Sequence, residues 1–345
     1  MRDASALHDA GSRPEGWAGF PRSEAERYDC VIVGGGPAGL SAALMLGRCR
    51  RRVLLCDTGE GRNRRAHAMH GFLTRDGTAP AELLRVSREQ LRPYDTVELS
   101  DRRIVDATRG DGGFDLAAAD GSRLRARRLL LATGVVDELP AVPGLPELYG
   151  RSVHHCPYCD GWEHRDQNVA VIGRGTSAAG LALSLKTWTP HVVLYTNGAP
   201  MLRSDDRRRL TETGIPIRSA RITGVNRNGN RVRAVALEDE SAAPCDAVFF
   251  SGRQTQQCEL AARLGCAMNR RGVVKTDHLG RTHIPGLYVV GDASRDVQFA
   301  IVAAAEGAKA GVAINKALQQ RAGLAVAPKD EEEDVRPSRS DTKHY

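Results

Sequence analysis

Aromatic side chains are scarce in this sequence, at 5% of 345 residues, and no uninterrupted apolar run is long enough to span a membrane. The N-terminal stretch, MRDASALHDAGSRPEGWAGF, also lacks the apolar core of a secretory signal peptide. We therefore expect a soluble, cytoplasmic protein with no membrane contact. Its length is sufficient for two domains with substantial cores.

Charge is plentiful, but a basic stripe is missing. The chain has 49 Lys and Arg against 42 Asp and Glu, which gives a formal net charge of +7. The basic residues are scattered among the acids and are not interleaved with aromatic side chains, as they are on nucleic-acid-binding surfaces. We expect a solvated basic surface and no nucleic-acid partner.

Cysteines with motif spacing are few, since only Cys156 and Cys159 among the eight cysteines form a C-x-x-C pair. A framework of disulfides is typical of shorter, secreted chains, so this class is excluded. Where thiols are kept reduced, a C-x-x-C pair is more often catalytic or metal-binding than structural.

This pair lies in the segment HHCPYCDGWEH, residues 154–164, which brings together sulfur, imidazole and carboxylate groups. Such a segment suits a metal clip, a structural disulfide or a redox centre. A zinc site would use His154, Cys156, Cys159 and His164, but structural zinc sites usually draw ligands from two separated knuckles. The sequence has no second knuckle, so we predict no metal. The segment alone does not decide between the two remaining chemistries.

Glycine is abundant, at 36 residues, and its first cluster has a recognisable spacing. Gly34, Gly36 and Gly39 form G-x-G-x-x-G between an apolar run and a helical stretch, and a second apolar run ends on Asp57. Gly34 would permit a tight turn, Gly36 the approach of a pyrophosphate, and Gly39 close packing of helix on strand. Asp57 would accept hydrogen bonds from an adenosine ribose. This unit predicts a dinucleotide site.

A second unit of the same kind spans residues 169–195, with Gly173, Gly175 and Ala178 in the turn. No acid ends its second strand, and the residues that follow are Thr196–Gly198 instead of an arginine pair. Two interpretations stay open. The unit is a nicotinamide-nucleotide site, or a domain that has kept the fold and lost the ligand.

The rest of the chain adds two strand ends and two terminal segments. RLLLATG, residues 128–134, predicts a buried strand, and GLYVVGDAS, residues 286–294, predicts another that ends at Asp292. Asp292 would either hold the polyol or phosphate part of a cofactor or cap the helix that follows. Residues 1–27 form a polar extension and residues 323–345 a charged tail, and we predict that 1–27 and 328–345 are disordered.

The order of these pieces resembles that of the low-molecular-weight thioredoxin reductases, FAD flavoproteins of the class II pyridine nucleotide-disulfide oxidoreductases, over residues 28–322. The matching motifs are GGGPAG (34–39), GFLTRDGTAPAELL (71–84), ATG (132–134), CPYCDG (156–161), GRGTSAAG (173–180) and GD (291–292). The resemblance implies an α/β protein with two Rossmann-like, three-layer nucleotide-binding domains, the second inserted in the first. The FAD-binding domain would comprise residues 28–136 and 248–322. The inserted NAD(P)-binding-like domain, residues 137–247, would carry the C-x-x-C pair, and the protein would be a homodimer.

The same resemblance implies roles for individual residues. Cys159 would face the flavin, and Cys156 would exchange with the substrate. Asp160 would donate and accept protons. His154 and His155 would either stabilise a thiolate or be polar residues at a domain edge, with His155 as the catalytic candidate. The residues implied to bind FAD are Gly34, Gly36, Pro37, Ala38, Gly39, Asp57, Gly59, Arg62, Asn63, His70, Val105, Ala132, Asp292, Gln298 and Phe299.

The chain departs from these reductases after the segment HVVLYTNG, where their basic cluster for NADPH is absent, so the use of NAD(P)H stays open. In this respect it resembles the dithiol oxidases of disulfide natural-product pathways, such as those for gliotoxin and holomycin. Three functions are considered. The first is an oxidase that passes electrons from a small-molecule dithiol through FAD to O2. The second is an NAD(P)H-dependent disulfide reductase serving a thioredoxin-like protein, and the third is a flavin redox sensor without turnover. The intact cysteine pair and Asp160 argue against the sensor, and the missing basic cluster favours the oxidase.

Overall fold

The computed structural model describes residues 27–294 and 297–324. The segments predicted to be disordered fall almost wholly outside these residues. Arg27 already belongs to the first strand, and residues 323–324 follow the last helix.

Strands and helices alternate along most of the chain. The strands are β1 (Arg27–Val33), β2 (Val53–Cys56), β3 (Val97–Ser100), β4 (Ile104–Gly110), β5 (Gly113–Ala118), β6 (Arg123–Leu131), β7 (Val135–Asp137), β8 (Val153–His154), β9 (Val169–Ile172), β10 (Val192–Tyr195), β11 (Ile217–Arg218), β12 (Ile222–Asn228), β13 (Arg231–Leu237), β14 (Ala242–Pro244), β15 (Ala247–Phe250), β16 (Gln254–Gln256) and β17 (Leu287–Val289). The helices are α1 (Pro37–Arg48), α2 (Pro80–Glu89), α3 (Leu145–Leu148), α4 (Pro157–Asp160), α5 (Gly175–Leu185), α6 (Ser204–Glu212), α7 (Leu260–Arg263) and α8 (Ala300–Arg321), with 3₁₀ turns at Trp162–His164 and Gly291–Ala293.

The first sheet places β3, β2, β1 and β6 side by side in parallel. The strands β5 and β4 continue it in antiparallel fashion, and the end of β6 also pairs with β17. The apolar runs Cys30–Val33, Val53–Cys56 and Leu129–Leu131 are buried throughout. Such continuous runs are typical of parallel strands covered on both faces.

The helices α1 and α8 pack together against this sheet, and their side chains share one core cluster with it. Their backbones approach closely because the contact residues are small: a Cβ atom on Gly307 would collide with the backbone of Ala38. No helix among the described residues has the length and apolar character needed to cross a membrane.

The second sheet has the order β11, β10, β9, β15, β8, with every pair parallel. A small antiparallel sheet of β12, β13 and β14 accompanies it. The predicted domain boundary at residue 248 lies within β15, and the return to the first sheet falls after Phe250, because β15 pairs with β9. The chain leaves the first sheet through β7 and returns through β16, and these two strands pair antiparallel.

Four cysteines lie in the cores of these sheets, namely Cys30, Cys56, Cys245 and Cys266. Burial raises the pKa of each of these thiols, since the thiolate form loses its hydration. They are therefore protonated and unreactive at neutral pH.

Candidate active site

A cleft of about 520 Å3 lies along the ends of the first sheet's strands and reaches the cysteine pair of the inserted segment. Most residues predicted for the site line this cleft: Gly34, Gly36, Pro37, Ala38, Asp57, Gly59, Arg62, Asn63, His70, Val105, Ala132, His155, Cys159, Asp160, Asp292, Gln298 and Phe299. Gly39 and Cys156 do not line it. Gly39 is buried instead, where a Cβ atom would collide with the carbonyl oxygen of Gly34, so its role is the close packing of α1 on β1.

The glycine turn offers the cleft a row of backbone amides. Gly34 has a φ of 107°, and a Cβ atom there would collide with Ala132, whereas a Cβ atom on Gly36 would meet nothing within 4 Å. The helix α1 begins with Pro37 at its first turn and has no side-chain cap. Its first N–H groups therefore remain available, and a helix N-terminus of this kind favours phosphate oxygens. This arrangement fits the pyrophosphate of a dinucleotide.

Asp57, at the end of β2, lies beside the turn as predicted, but it already has a partner. Its carboxylate accepts a hydrogen bond of 2.5 Å from Arg88 of α2 and one of 3.3 Å from the backbone N–H of Gly59. The Asp57 carboxylate can still accept a hydrogen bond from a ribose hydroxyl, because a carboxylate has about four acceptor positions.

Cys156 and Cys159 form a disulfide, with their Cα atoms 5.3 Å apart. Cys156 is the residue before the single-turn helix α4, and its sulfur accepts a hydrogen bond of 3.1 Å from the N–H of Cys159. Of the two cysteines, only Cys159 lines the cleft. The two sulfurs therefore differ in position relative to the predicted cofactor site.

A row of polar side chains leads away from Asp160, the residue after the pair. The carboxylate lies 3.1 Å from Nδ1 of His154, whose Nε2 lies 3.0 Å from Nε2 of His164. His164 continues to Gln167 through a contact of 2.9 Å. Burial alone would raise the pKa of Asp160, but the hydrogen bond and charge of His154 outweigh it and lower that pKa. Asp160 is therefore ionised and can accept a proton.

A second polar cluster surrounds the guanidinium of Arg62. Arg62 donates two hydrogen bonds of 2.6 Å to Asp137, one of 3.0 Å to Asp292 and one of 2.6 Å to Gln298. Burial would raise the pKa of Asp137, but the hydrogen bonds from Arg62 and the neighbouring charges lower it to about 2. Asp292 binds this guanidinium and does not cap α8, whose N-cap residue is Phe299 and whose first turn receives no side-chain cap.

His155 joins the Arg62 cluster through Tyr149. The Tyr149 hydroxyl donates to Asp137 at 2.5 Å and lies 3.1 Å from Nδ1 of His155. Burial, followed by the charge of Arg62, lowers the pKa of His155 to about 4, so the imidazole is neutral at physiological pH.

Sequence reasoning did not find Arg88, Asp137, Tyr149 or Gln254. The only local signal was that Asp137 follows the ATG turn and Tyr149 precedes the cysteine pair by a few residues.

The turn of the second glycine unit is arranged differently. Arg174, inside that turn, donates hydrogen bonds to the backbone oxygens of Thr196 (2.7 Å) and Asn197 at the end of β10. The Thr196 hydroxyl donates to the Gly198 oxygen, and the Asn197 side chain accepts from Ile222. The polar groups at this strand end are thus bound to one another.

Two doubly wound domains, an amide-lined cleft and a disulfide beside it define the class of dinucleotide-dependent disulfide oxidoreductases. The chain belongs to the pyridine nucleotide-disulphide oxidoreductase family, whose sequence model matches residues 28–307. It is 31% identical over 346 residues to a "Probable thioredoxin reductase" of Arthroderma benhamiae, covering 90% of this chain and 85% of that relative. It is 29% identical over 299 residues to "Thioredoxin reductase aclD" of Aspergillus oryzae, covering 83% and 95%. The crystal structure of HlmI superposes with a TM-score of 0.82 at 35% identity, covering 86% of this chain and 94% of HlmI.

These findings confirm the predicted resemblance to thioredoxin reductases and the α/β fold with two Rossmann-like domains. The protein is an oxidoreductase acting on disulfides, and the thioredoxin reductase-like members of its family are FAD flavoproteins, as the sequence predicted. Among the described residues, no three His, Cys, Asp or Glu side chains gather as a metal site.

Proposed function

We propose that the protein is an FAD-dependent dithiol oxidase, which converts a small-molecule dithiol to a disulfide and transfers the electrons to O2. The observation that carries the proposal is the disulfide Cys156–Cys159 at the cleft, with Cys159 facing the cleft and Cys156 outside its lining. This arrangement suits a pair that exchanges with substrate on one side and with a cofactor on the other.

The residues that would hold FAD are those that line the cleft. The open amides around Gly36 would bind the pyrophosphate, and Asp57 the adenosine ribose. Asp292 and Arg62 would lie at the end nearer to Cys159. When bound, FAD accepts two electrons from a dithiol and delivers them to a second acceptor such as O2.

The cysteine pair performs the sulfur chemistry. A substrate thiolate attacks Sγ of Cys156, which breaks the Cys156–Cys159 bond, forms a mixed disulfide and releases Cys159 as a thiolate. The second substrate thiolate attacks the substrate sulfur of this mixed disulfide, which closes the substrate disulfide and releases Cys156. The pair has then gained two electrons, and the substrate has lost two electrons and two protons. Overall, dithiol and O2 give disulfide and hydrogen peroxide.

The substrate protons would be received by two side chains, Asp160 and His155. Asp160 is ionised and His155 is neutral at physiological pH, so each can accept a proton beside the disulfide. We propose His155 as the base for the incoming thiol because it directly precedes Cys156 and lines the cleft. Asp160 would handle the proton of Cys159, and the row of His154 and His164 would connect it with the surface.

The direction of electron flow is inferred from the second glycine unit. In a doubly wound domain, the end of β10 is where a nicotinamide nucleotide would present its adenosine ribose. Here that place is occupied by Arg174, which is bound to the backbone oxygens of Thr196 and Asn197. One observation favours the NAD(P)H-dependent reductase instead. Arg218 lies opposite Tyr195 in the pairing of β10 with β11, and this exposed guanidinium could meet a 2′-phosphate.

Anaerobic stopped-flow reduction of the FAD-loaded protein separates the two functions. We expect dithiothreitol, as a small dithiol probe, to bleach the flavin absorbance rapidly, and NADPH to bleach it at least about a hundredfold more slowly, a barrier difference of about 2.7 kcal/mol. The Cys156→Ser variant should lose the dithiol reaction, and Cys245→Ser, which alters a buried cysteine of the inserted segment, should keep it. Rapid bleaching at micromolar NADPH, with reduction of thioredoxin, would establish the reductase instead.

The predicted homodimer and the identity of the dithiol stay predictions of the sequence. Sedimentation of the FAD-loaded protein at several concentrations measures the first. A monomer at every concentration would contradict it.

A further inference from the structure

We propose that Tyr149 and Asp137 are positioning residues that fix the tautomer of His155, so that its Nε2 atom presents a lone pair to the substrate thiol. This inference rests on the proposed role of His155 in dithiol oxidation. It assigns to the pair Asp137–Tyr149 a function that none of the sequence motifs indicated.

The first step establishes the protonation state of Asp137, whose carboxylate is ionised. Its Oδ1 atom accepts hydrogen bonds from Nη2 of Arg62 (2.6 Å) and from the Gln254 side chain (2.9 Å), and its Oδ2 atom accepts one from Nε of Arg62 (2.6 Å). A carboxylate with a two-pronged guanidinium contact is ionised and only accepts hydrogen bonds. The remaining contact of Oδ2, at 2.5 Å from the Tyr149 hydroxyl, must therefore be a bond that Tyr149 donates.

The second step fixes the proton of His155. The Tyr149 hydroxyl has one hydrogen, which Asp137 receives, so its oxygen can only accept from the imidazole. The contact of 3.1 Å between this oxygen and Nδ1 of His155 is then an N–H donated by the imidazole. Nδ1 lies 3.8 Å from Asp137 itself, too far for a direct bond. Tyr149 therefore transmits the orienting effect of the carboxylate.

The third step concerns the other nitrogen. In a neutral imidazole, a proton on Nδ1 leaves a lone pair on Nε2. The described residues give Nε2 of His155 no hydrogen-bond partner, and the side chain lines the cleft that holds Cys159. The ring plane is held by Phe250, whose ring centre lies 6.4 Å from that of His155 and 5.9 Å from that of Tyr149.

Burial keeps the imidazole of His155 neutral until substrate arrives, and the positive charge of Arg62 adds to this effect. The carboxylates of Asp137 and Asp160 act in the opposite direction, but they do not outweigh burial and Arg62. The charged and titratable groups that face His155 are Arg62, Asp137, Tyr149, His154 and Asp160. A thiolate that forms beside Nε2 adds a negative charge, which favours the imidazolium and so assists transfer of the thiol proton.

The test is the variant Tyr149→Phe, which removes one hydroxyl and keeps the ring. We expect kcat/KM for dithiothreitol oxidation to fall about tenfold or more, because the ring of His155 would populate the wrong tautomer. In a His155→Ala background, the same substitution should cause no further loss, since the residue it positions is gone. The matched control is Tyr28→Phe. It also removes a hydroxyl that donates to a carboxylate, that of Glu98 at 2.7 Å, outside the lining of the cleft.

A readout independent of turnover is the ¹⁵N spectrum of histidine-labelled protein. It should show His155 protonated on Nδ1 in the native chain and a mixture of tautomers in Tyr149→Phe. Full kcat/KM in Tyr149→Phe, an additive loss in the double variant, or an unchanged tautomer would each overturn the inference. If His155→Ala has no effect while the tautomer depends on Tyr149, then the positioning stands and the proposed base is wrong.

Discussion

At the residue scale, the two sulfurs of the disulfide have different surroundings. Cys159 lines the cleft and is followed by the ionised carboxylate of Asp160, whereas Cys156 precedes α4 outside the cleft lining. A structural disulfide does not need sulfurs in different surroundings, because neither sulfur reacts. In an exchanging pair, one sulfur must meet the substrate thiol and the other the cofactor, so their surroundings must differ.

Single serine variants should expose this difference. Cys159→Ser leaves Cys156 without its partner, so a mixed disulfide with an added aromatic disulfide reagent should form quickly and persist. In Cys156→Ser, FAD in the cleft should shield Cys159, and we expect labelling to be at least about tenfold slower. Mass spectrometry of the intact protein measures both rates, and Cys49→Ser, at a half-buried cysteine outside the pair, is the control. Equal labelling rates in the two variants would contradict the assignment.

The residues that sequence reasoning found and missed differ in how far their partners lie along the chain. The glycine turn and Asp57 lie within one strand–helix–strand unit, so their spacing predicted their proximity. Arg62 and Asp137 are 75 residues apart, and Asp137 and Gln254 are 117 apart. The pairing of β7 with β16 places Gln254 opposite Asp137, and Arg62 reaches Asp137 from the loop that follows β2. No local pattern carries this information.

At the element scale, the start of α1 separates folding from cofactor binding. Gly39 packs against the oxygen of Gly34, whereas Gly36 faces open space in the cleft. We expect Gly39→Ala to lower the free energy of unfolding by about 1–3 kcal/mol, since the helix must shift from the strand. Gly36→Ala should leave that free energy within about 0.5 kcal/mol and weaken retention of FAD.

Urea unfolding of the FAD-free variants gives the first quantity, and the FAD content after gel filtration gives the second. The two glycines serve as controls for each other, because the same methyl group is added three positions apart. Loss of stability in Gly36→Ala without loss of FAD would mean that this turn does not bind the pyrophosphate.

At the scale of the whole molecule, the cluster around Arg62 holds the inserted segment against the first sheet. Its titration should make the stability depend on pH. The pKa of His155 is lowered to about 4 in the folded protein, so the unfolded chain takes up a proton first and stability falls as the pH falls from about 6.5 towards 4. The pKa of Asp137 is lowered to about 2, so its contribution is present above about 4 and is lost as the pH falls towards 2.

Thermal unfolding between pH 8 and pH 4 measures the first of these effects. The His155→Gln variant should lose about 3 kcal/mol less stability over this range than the native chain, since it has no imidazole to protonate. His191→Gln, at an exposed histidine beside β10, is the control. Parallel pH profiles for the native chain and His155→Gln would show that the imidazole titrates normally in the folded state.

The burial of Cys30, Cys56, Cys245 and Cys266 bears on the fidelity of repeated turnover. A protein that opens and closes a disulfide in every cycle is exposed to scrambling whenever another thiolate can reach the open pair. Here four of the six other thiols are kept protonated by the same packing that forms the sheets, so these four can exchange with the pair only when the core around them opens. The hydrophobic core thus keeps these four thiols from exchanging with the pair. Mild destabilisation of the core should therefore be detected first as wrongly paired cysteines.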